Sequence, residues 1–233
     1  MIPEKTMKKG KDLTDEVMKM PFLFDLHVHS LISPCSMLPL EDILAEARLL
    51  NLDGVCITDH NTTQARHQIR EGVQDDGLCV IVGQEYSSLD GHFLIFGPHE
   101  EFEPYLPAPE ITRRVNRAGG VIIASHPYRA MQKVDEKLVS RGIISYAEGL
   151  NGRNSELENS LAQNWQEKHG ISLTGGSDAH CLEELGKVGT LFTEPVRSRE
   201  DLVKALKNRN FRPARNPNYK QLVHWLESYG GAV

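Results

Sequence analysis

Two hydrophobic periods alternate along the chain. Short apolar runs recur at 22–28 (FLFDLHV), 54–58 (GVCIT), 78–85 (LCVIVGQE), 91–97 (GHFLIFG), 121–127 (VIIASHP), 143–150 (IISYAEGL), 171–180 (ISLTGGSDAH) and 187–193 (KVGTLFT), and they read as strands. Between them lie segments of helical spacing. The first, 38–52, has apolar residues at 40, 43, 44, 47 and 50. The others are 61–74, opening on capping residues, 109–120, with Pro109 at its start, 154–170, stopping at Gly170, 198–209, and a last piece near 217–228. Repeated βα units of this kind predict a mainly parallel sheet with helices outside. Closed on itself, that is a barrel of the TIM type, or a relative with a strand fewer, with its chemistry at the C-terminal strand ends.

The chain of 233 residues suits one domain, with 1–20 as an N-terminal extension and 21–233 as a single barrel. There is no internal repeat or long linker. The formal charge of −6 argues against a partner such as long duplex DNA, which calls for a basic footprint. The one basic stretch, 204–220 (KALKNRNFRPARNPNYK), reads as a solvated surface or as a contact for a polyanion. None of Cys35, Cys56, Cys79 and Cys181 forms a C-x-x-C pair, and Cys56 and Cys79 sit in apolar runs as buried thiols. The first twenty residues hold lysines but no apolar core of a signal peptide, and no apolar run is long enough to cross a bilayer. A reduced, cytoplasmic protein without membrane contact is expected.

Candidate chemistry follows the barrel rule. His27, His29, Asp59, His60, Glu85, His126, Asp178 and His180 all fall at or just after the end of an expected strand. His92 begins its strand, and lies beside Glu85 if 91–97 pairs antiparallel with 78–85. His27 and His29 are two apart, so both face one side, and Asp178 and His180 repeat that spacing. A lone strand-end histidine is more often hydrogen-bonded than metal-bound. So many histidines and carboxylates converging are costly to bury unless they pair or bind metal. His67, His99, His169 and His224 lie outside this pattern and read as structural or solvent-facing.

The pieces DLHVHSLIS, GVCITDHNT, GQEYS, GHFLIFG, IIASHPYR, GLNGRN and GSDAH occur together, in one order, over roughly residues 22 to 193. In this the chain resembles the PHP (polymerase and histidinol phosphatase) family of metal-dependent phosphoesterases. The resemblance implies a distorted (βα)7 TIM-like barrel holding two or three divalent metal ions. It implies a first site of His27, His29, Glu85 and Asp178. Glu85 would bridge to a second with His92 and His126, and His60 and His180 would hold a third. Asp25 and Asp59 would orient neighbouring imidazoles. Many relatives complete the third site five or six residues after the second histidine, where this chain has Pro34 and Cys35. Cys35 either ligates as a thiolate or packs without a metal.

The mixed donor set suits zinc, manganese or iron better than magnesium or calcium. Two such ions can bridge a water and lower its pKa, giving a hydroxide for in-line attack on phosphorus. His180 or the third ion would serve the leaving group, and Arg129 and Arg153 are the expected phosphate contacts. Glu148 and Asn151 line the pocket or hold a loop. The expected function is a metal-dependent phosphoesterase acting on a small phosphorylated substrate, a phosphomonoester, or a short nucleotide or oligonucleotide. Two alternatives stand beside it. One is an amidohydrolase-like hydrolase, against which the lack of a strand-end lysine between 54 and 150 counts. The other is a non-catalytic, metal-stabilised scaffold. The oligomeric state, the metal and the substrate are not legible.

Overall fold

The computed structural model describes residues 21–97 and 102–219. The expected extension 1–20, His99, His224 and the last helical piece beyond residue 219 lie outside the described residues.

The strands form two open mixed sheets rather than the expected closed barrel. The first contains β1 (Phe22–Val28), β2 (Gly54–Ile57), β3 (Gly72–Val73), β4 (Cys79–Val82), β10 (Val188–Phe192) and β11 (Phe211–Arg215), in the order β11-β10-β1-β2-β4-β3. The second is β5 (Gln84–Ser88), β6 (Gly91–Phe96), β7 (Val121–Ala124), β8 (Tyr146–Asn151) and β9 (Ser172–Gly176), in sequence order. Single parallel bridges join the sheets, Val28 with Ala179 and His60 with Glu85. The first lies at C-terminal strand ends, and the second joins the segment after β2 to the start of β5, so the sheets meet where the candidate residues are.

Two local causes break the βα repeat. The 78–85 run divides at Gly83 into β4 and β5. A side chain at Gly83 would lie 2.7 Å from the Phe96 ring and 2.8 Å from the Ile95 carbonyl, so β6 passes too close for a Cβ. Only Leu89 and Asp90 connect β5 to β6, and so short a link forces an antiparallel pair, with His92 opposite Ser87. At the other end β10 returns antiparallel to β1, with Phe22 opposite Phe192.

Four of the expected helices form: α1 (Leu40–Leu49), α2 (Ala108–Arg117), α4 (Glu156–His169) and α5 (Arg199–Asn208); a short α3 (Glu136–Ser140) joins them. The helix expected over 61–74 is instead a single 3-10 turn, Gln64–His67, leading to β3. That stretch offers only Ala65 and Ile69 to a core. Its Glu71 turns away to accept from the Val82 amide and to pair with Arg199. The basic stretch 204–220 divides between the end of α5 and β11, where Arg212 sits opposite Leu191, toward the end of β1 remote from His27 and His29.

Three apolar clusters hold the layers. Tyr86, Ile111, Val115 and Trp165 pack α2 and α4 on the second sheet, and Ile43, Ala47, Val55 and Val80 pack α1 on the first. Phe24, Leu26, Ile81, Phe96, Ile123 and Phe192 gather residues from both sheets with Leu202 and Leu206 of α5. Full burial of each large side chain stabilises by about 1.5–3 kcal/mol. Trp165 also donates its indole N–H to the Tyr128 hydroxyl at 2.7 Å, tying α4 to the loop after β7. The start of α4 is set by a capping box between Ser155 and Glu158, and its end by Gly170 at φ 67°. Replacing Ser155 by Ala should lower stability by about 1 kcal/mol, read as an earlier midpoint in chemical unfolding.

Candidate metal centre

β1 places Asp25 and His27 on one face by its two-residue period, His29 follows just past its end, and both histidines are fully buried. Their Nε2 atoms lie 3.0 Å apart. What surrounds each ring decides its tautomer. His27 Nδ1 is 2.9 Å from Glu148 Oε1, and a carboxylate offers acceptors, so Nδ1 carries the proton. His29 Nδ1 faces Ser33 Oγ at 3.4 Å, and that hydroxyl donates to Asp59 Oδ1 at 2.6 Å, so its lone pair is left for Nδ1–H. In the neutral rings both Nε2 lone pairs therefore converge on one point, which demands a positive charge between them.

Two carboxylates complete that point. Glu85 Oε2 lies 3.4 Å from His27 Nε2, 3.3 Å from His29 Nε2 and 3.1 Å from His60 Nδ1. Its other oxygen, Oε1, meets His126 Nε2 at 2.8 Å and His92 Nδ1 at 3.2 Å. Asp178 Oδ1 lies 3.5 Å from His27 Nε2 and 3.4 Å from His29 Nε2. His60 Nδ1 is buried yet makes no hydrogen bond of acceptable geometry, although Glu85 is in reach. A buried ring nitrogen aimed at a carboxylate without bonding it has the disposition of a ligand.

Four overlapping groups of donors can each hold an ion: His27, His29 and Glu85; His27, His126 and Asp178; His60, Glu85 and His92; and His29, His60 and His180. In each, the donor atoms lie within 4.8 Å of one another. These buried clusters suit a centre of several metal ions. All the expected histidines, with Glu85 and Asp178, are brought together. Cys35 is exposed and belongs to none of the groups, and partial burial, with the Glu85 and Asp178 charges, raises its pKa.

The backbone is strained at two of these positions. His126 has φ 28° and Asp178 has φ 59°, a region that non-glycine residues enter uncommonly and at a cost. His126 is held there by its amide, which donates to Glu148 Oε2 at 2.8 Å. Asp178 is held by its amide, which donates to the His27 carbonyl at 2.7 Å, and by Arg129, whose Nη1 donates to Oδ2 at 2.5 Å. The rest of the Arg129 guanidinium serves Asn151 and Asn154, while Arg153 is more exposed, pairs with Glu184 and reaches the His180 ring at 3.0 Å. Arg129 and Arg153 line one cavity of about 340 Å³ with Ala130, Met131 and Gln132.

Sequence reasoning misses two supports. Asp25 orients no imidazole; it accepts from the backbone amides of Ser177, Gly186 and His27, pinning the 177–186 loop to β1. Burial raises its pKa to about 6 against those three hydrogen bonds. The carboxylate on the His27 ring is instead Glu148, on a different strand and without a spacing signal. Asp59 does reach an imidazole, through Ser33.

Electrostatics divide the histidines. Burial lowers the basicity of His27, but the nearby Asp178, Glu148 and Glu85 carboxylates overcome it and raise its pKa well above the ordinary range. His29 is raised in the same way, against burial, by Asp178 and Glu85. Burial takes His60 down to about 4, and burial with the neighbouring His29 lowers His180. Asp178 and Glu85 stay ionised despite burial because His27 and its neighbours hold their pKa values well below the carboxylate range.

The PHP-associated (PHP_C) family model matches residues 156–211. Over 246 residues the chain is 25% identical to the Escherichia coli protein named Probable phosphatase YcdX, covering 89% of this chain and 95% of that one. The chain is similar to PHP-family proteins in sequence and in fold. The Methanocaldococcus jannaschii protein named Uncharacterized protein MJ0417 is 29% identical over 179 residues, covering 73% of this chain and 70% of that one. The PHP fold is shared with a two-domain Bacteroides vulgatus protein whose structure is described as containing a predicted PHP-like metal-dependent phosphoesterase. That match has a TM-score of 0.63 at 19% identity, over 91% of this chain and 70% of that one. Among the described residues no helix is long and apolar enough to cross a membrane.

Two outcomes follow for this centre. Metal needs neutral imidazoles, and His27 and His29 keep their protons to higher pH than ordinary histidines. The apparent affinity for zinc or manganese should therefore rise with pH, by about ten-fold or more between about pH 6 and about pH 8, in competition titrations. A Cβ at Gly176 would lie 2.5 Å from the His27 Cβ and 3.0 Å from Glu148 Oε1. Gly176→Ala should yield folded protein with about ten-fold weaker metal affinity or worse, read by metal analysis and dialysis against chelator.

Proposed function

We infer that this chain is a metal-dependent phosphoesterase, acting on a phosphomonoester or a short nucleotide-like substrate. The observation that carries this is the convergence of the His27 and His29 Nε2 lone pairs, 3.0 Å apart, on Glu85 and Asp178 beside a cavity bearing two guanidinium groups. The YcdX likeness supports the same class of reaction.

In this reading His27, His29, Glu85 and Asp178 hold one ion, Glu85 with His92 and His126 a second, and His60 with His180 a third. When bound, such ions supply an acidified water and neutralise charge on phosphoryl oxygens. His180 suits ligation better than proton donation, because burial and His29 keep it neutral. Its Nδ1–H can donate to the Asp178 carbonyl at 2.8 Å, which leaves the lone pair on Nε2, 3.4 Å from Arg153 Nη1. Arg129 keeps Asp178 in place, and Arg153, at the mouth, meets phosphoryl oxygens. His60 and His92, 27% and 17% exposed, mark the side from which substrate enters.

A small substrate is favoured over a polymer. Arg212 lies toward the far end of the first sheet, and Arg215 is paired with Glu156, so among the described residues the basic stretch forms no track leading to the donor cluster. Cys35 has no part in the reading; the third ion would complete its shell with water.

Protein loaded with manganese or zinc should hydrolyse an aryl phosphate or a nucleotide, and His126→Ala should lower kcat/KM by about a hundred-fold or more. No turnover of any phosphoester across several metals, with bound metal confirmed, would favour the scaffold reading.

A further inference from the structure

Glu148 sits on β8, away from the donors gathered at the strand ends, and its side chain is fully buried. No lysine or arginine pairs with it among the described residues; its ion pair is with His27. The two carboxylate oxygens have separate tasks. Oε1 accepts from His27 Nδ1 at 2.9 Å. Oε2 accepts from the His126 amide at 2.8 Å and from Asn151 Nδ2 at 2.9 Å. The first contact fixes which His27 nitrogen faces the metals. The second anchors a residue whose φ of 28° leaves it few other ways to stay in place. His27 and His126 lie on different strands and belong together to one of the four donor groups, with Asp178. Asn151, which donates to Glu148, also accepts from Arg129, the brace of Asp178.

We propose that Glu148 is the positioning residue that presets this centre, holding the His27 tautomer with one oxygen and the His126 backbone with the other before any ion arrives. The proposal rests on the reading of the cluster as a metal centre, and on no particular substrate. It requires two acceptors on one side chain. Glutamine fills the same volume but has one acceptor and one amide NH2. Whichever way it turns, an N–H is set against the His27 Nδ1–H or against the His126 and Asn151 donors. Aspartate keeps both acceptors but is a methylene too short to span from β8 to both partners.

The test compares wild type with Glu148→Gln, and with Glu148→Asp should the glutamine variant fail to fold. Zinc or manganese affinity is measured by chelator competition. Ring 15N spectra of the loaded protein report the His27 tautomer, and melting of the metal-free protein reports the fold. The expected result is a 10- to 100-fold loss of affinity for at least one ion. It should come with loss of the single Nδ1–H form of His27 and little change in metal-free melting. Variant affinity within about two-fold of wild type overturns the proposal, as does an affinity loss that merely follows a matching loss of the metal-free fold. Wild type that binds no zinc or manganese would instead overturn the centre itself. Turnover plays no part in these readouts, so a failed substrate screen leaves the outcome distinct.

Discussion

One buried carboxylate organises the molecule. Glu85 is 1% exposed, and five imidazoles, from His27, His29, His60, His92 and His126, lie within 3.4 Å of its two oxygens. A charge so deep is costly unless every lone pair is answered. The fold answers it by bringing strand ends from both sheets to a single residue. The β5–β6 hairpin delivers His92, β7 delivers His126, and the bridge between His60 and Glu85 closes one seam. The break at Gly83, which opens the barrel, is also what turns β5 so that Glu85 reaches this position.

Around the donors lies a layer of acceptors and donors that fixes their directions. Glu148 acts on His27, Ser33 and Asp59 act on His29, and Arg129 with Asn151 acts on Asp178. None of these supports is near its client in sequence except Ser33. Such groups matter because a metal reads the direction of a lone pair, and a ring turned to the other tautomer presents a hydrogen instead. The two strained backbones, at His126 and Asp178, show where the fold gives up local comfort to keep those directions.

The two faces of the site differ in kind. The inner face is fully buried, and there His27 and His29 are raised in basicity by carboxylates. The outer face carries His60 and His180, where burial outweighs the nearby Glu85 and Asp178 carboxylates, and beyond them the cavity of Arg129 and Arg153. A phosphate approaching from outside would meet guanidinium first and the donor cluster second, the order that electrostatic guidance favours.

Much of this was legible in the residues alone. His27 and His29 must share a face because a strand repeats every two residues, and histidines at successive strand ends must converge if the strands lie side by side. The helix 154–170 was readable because Ser155, Glu158 and Gly170 carry their own local hydrogen bonds. The segment 61–74 was misread because propensity is local while the partners of Glu71, Val82 and Arg199, are distant. Closure of the barrel was misread because the 78–85 run divides where β6 passes Gly83, and because β10 returns antiparallel to β1, a pairing between residues far apart in the chain. The family resemblance made Asp25 an imidazole support, yet its partners are the amides of residues 27, 177 and 186. The sequence by itself determined which residues can bind metal and roughly where along the chain they fall, since donor chemistry and strand period are local properties. Only the tertiary structure decided which carboxylate faces which ring, because hydrogen-bond direction is set by side chains that meet only after the sheets have packed.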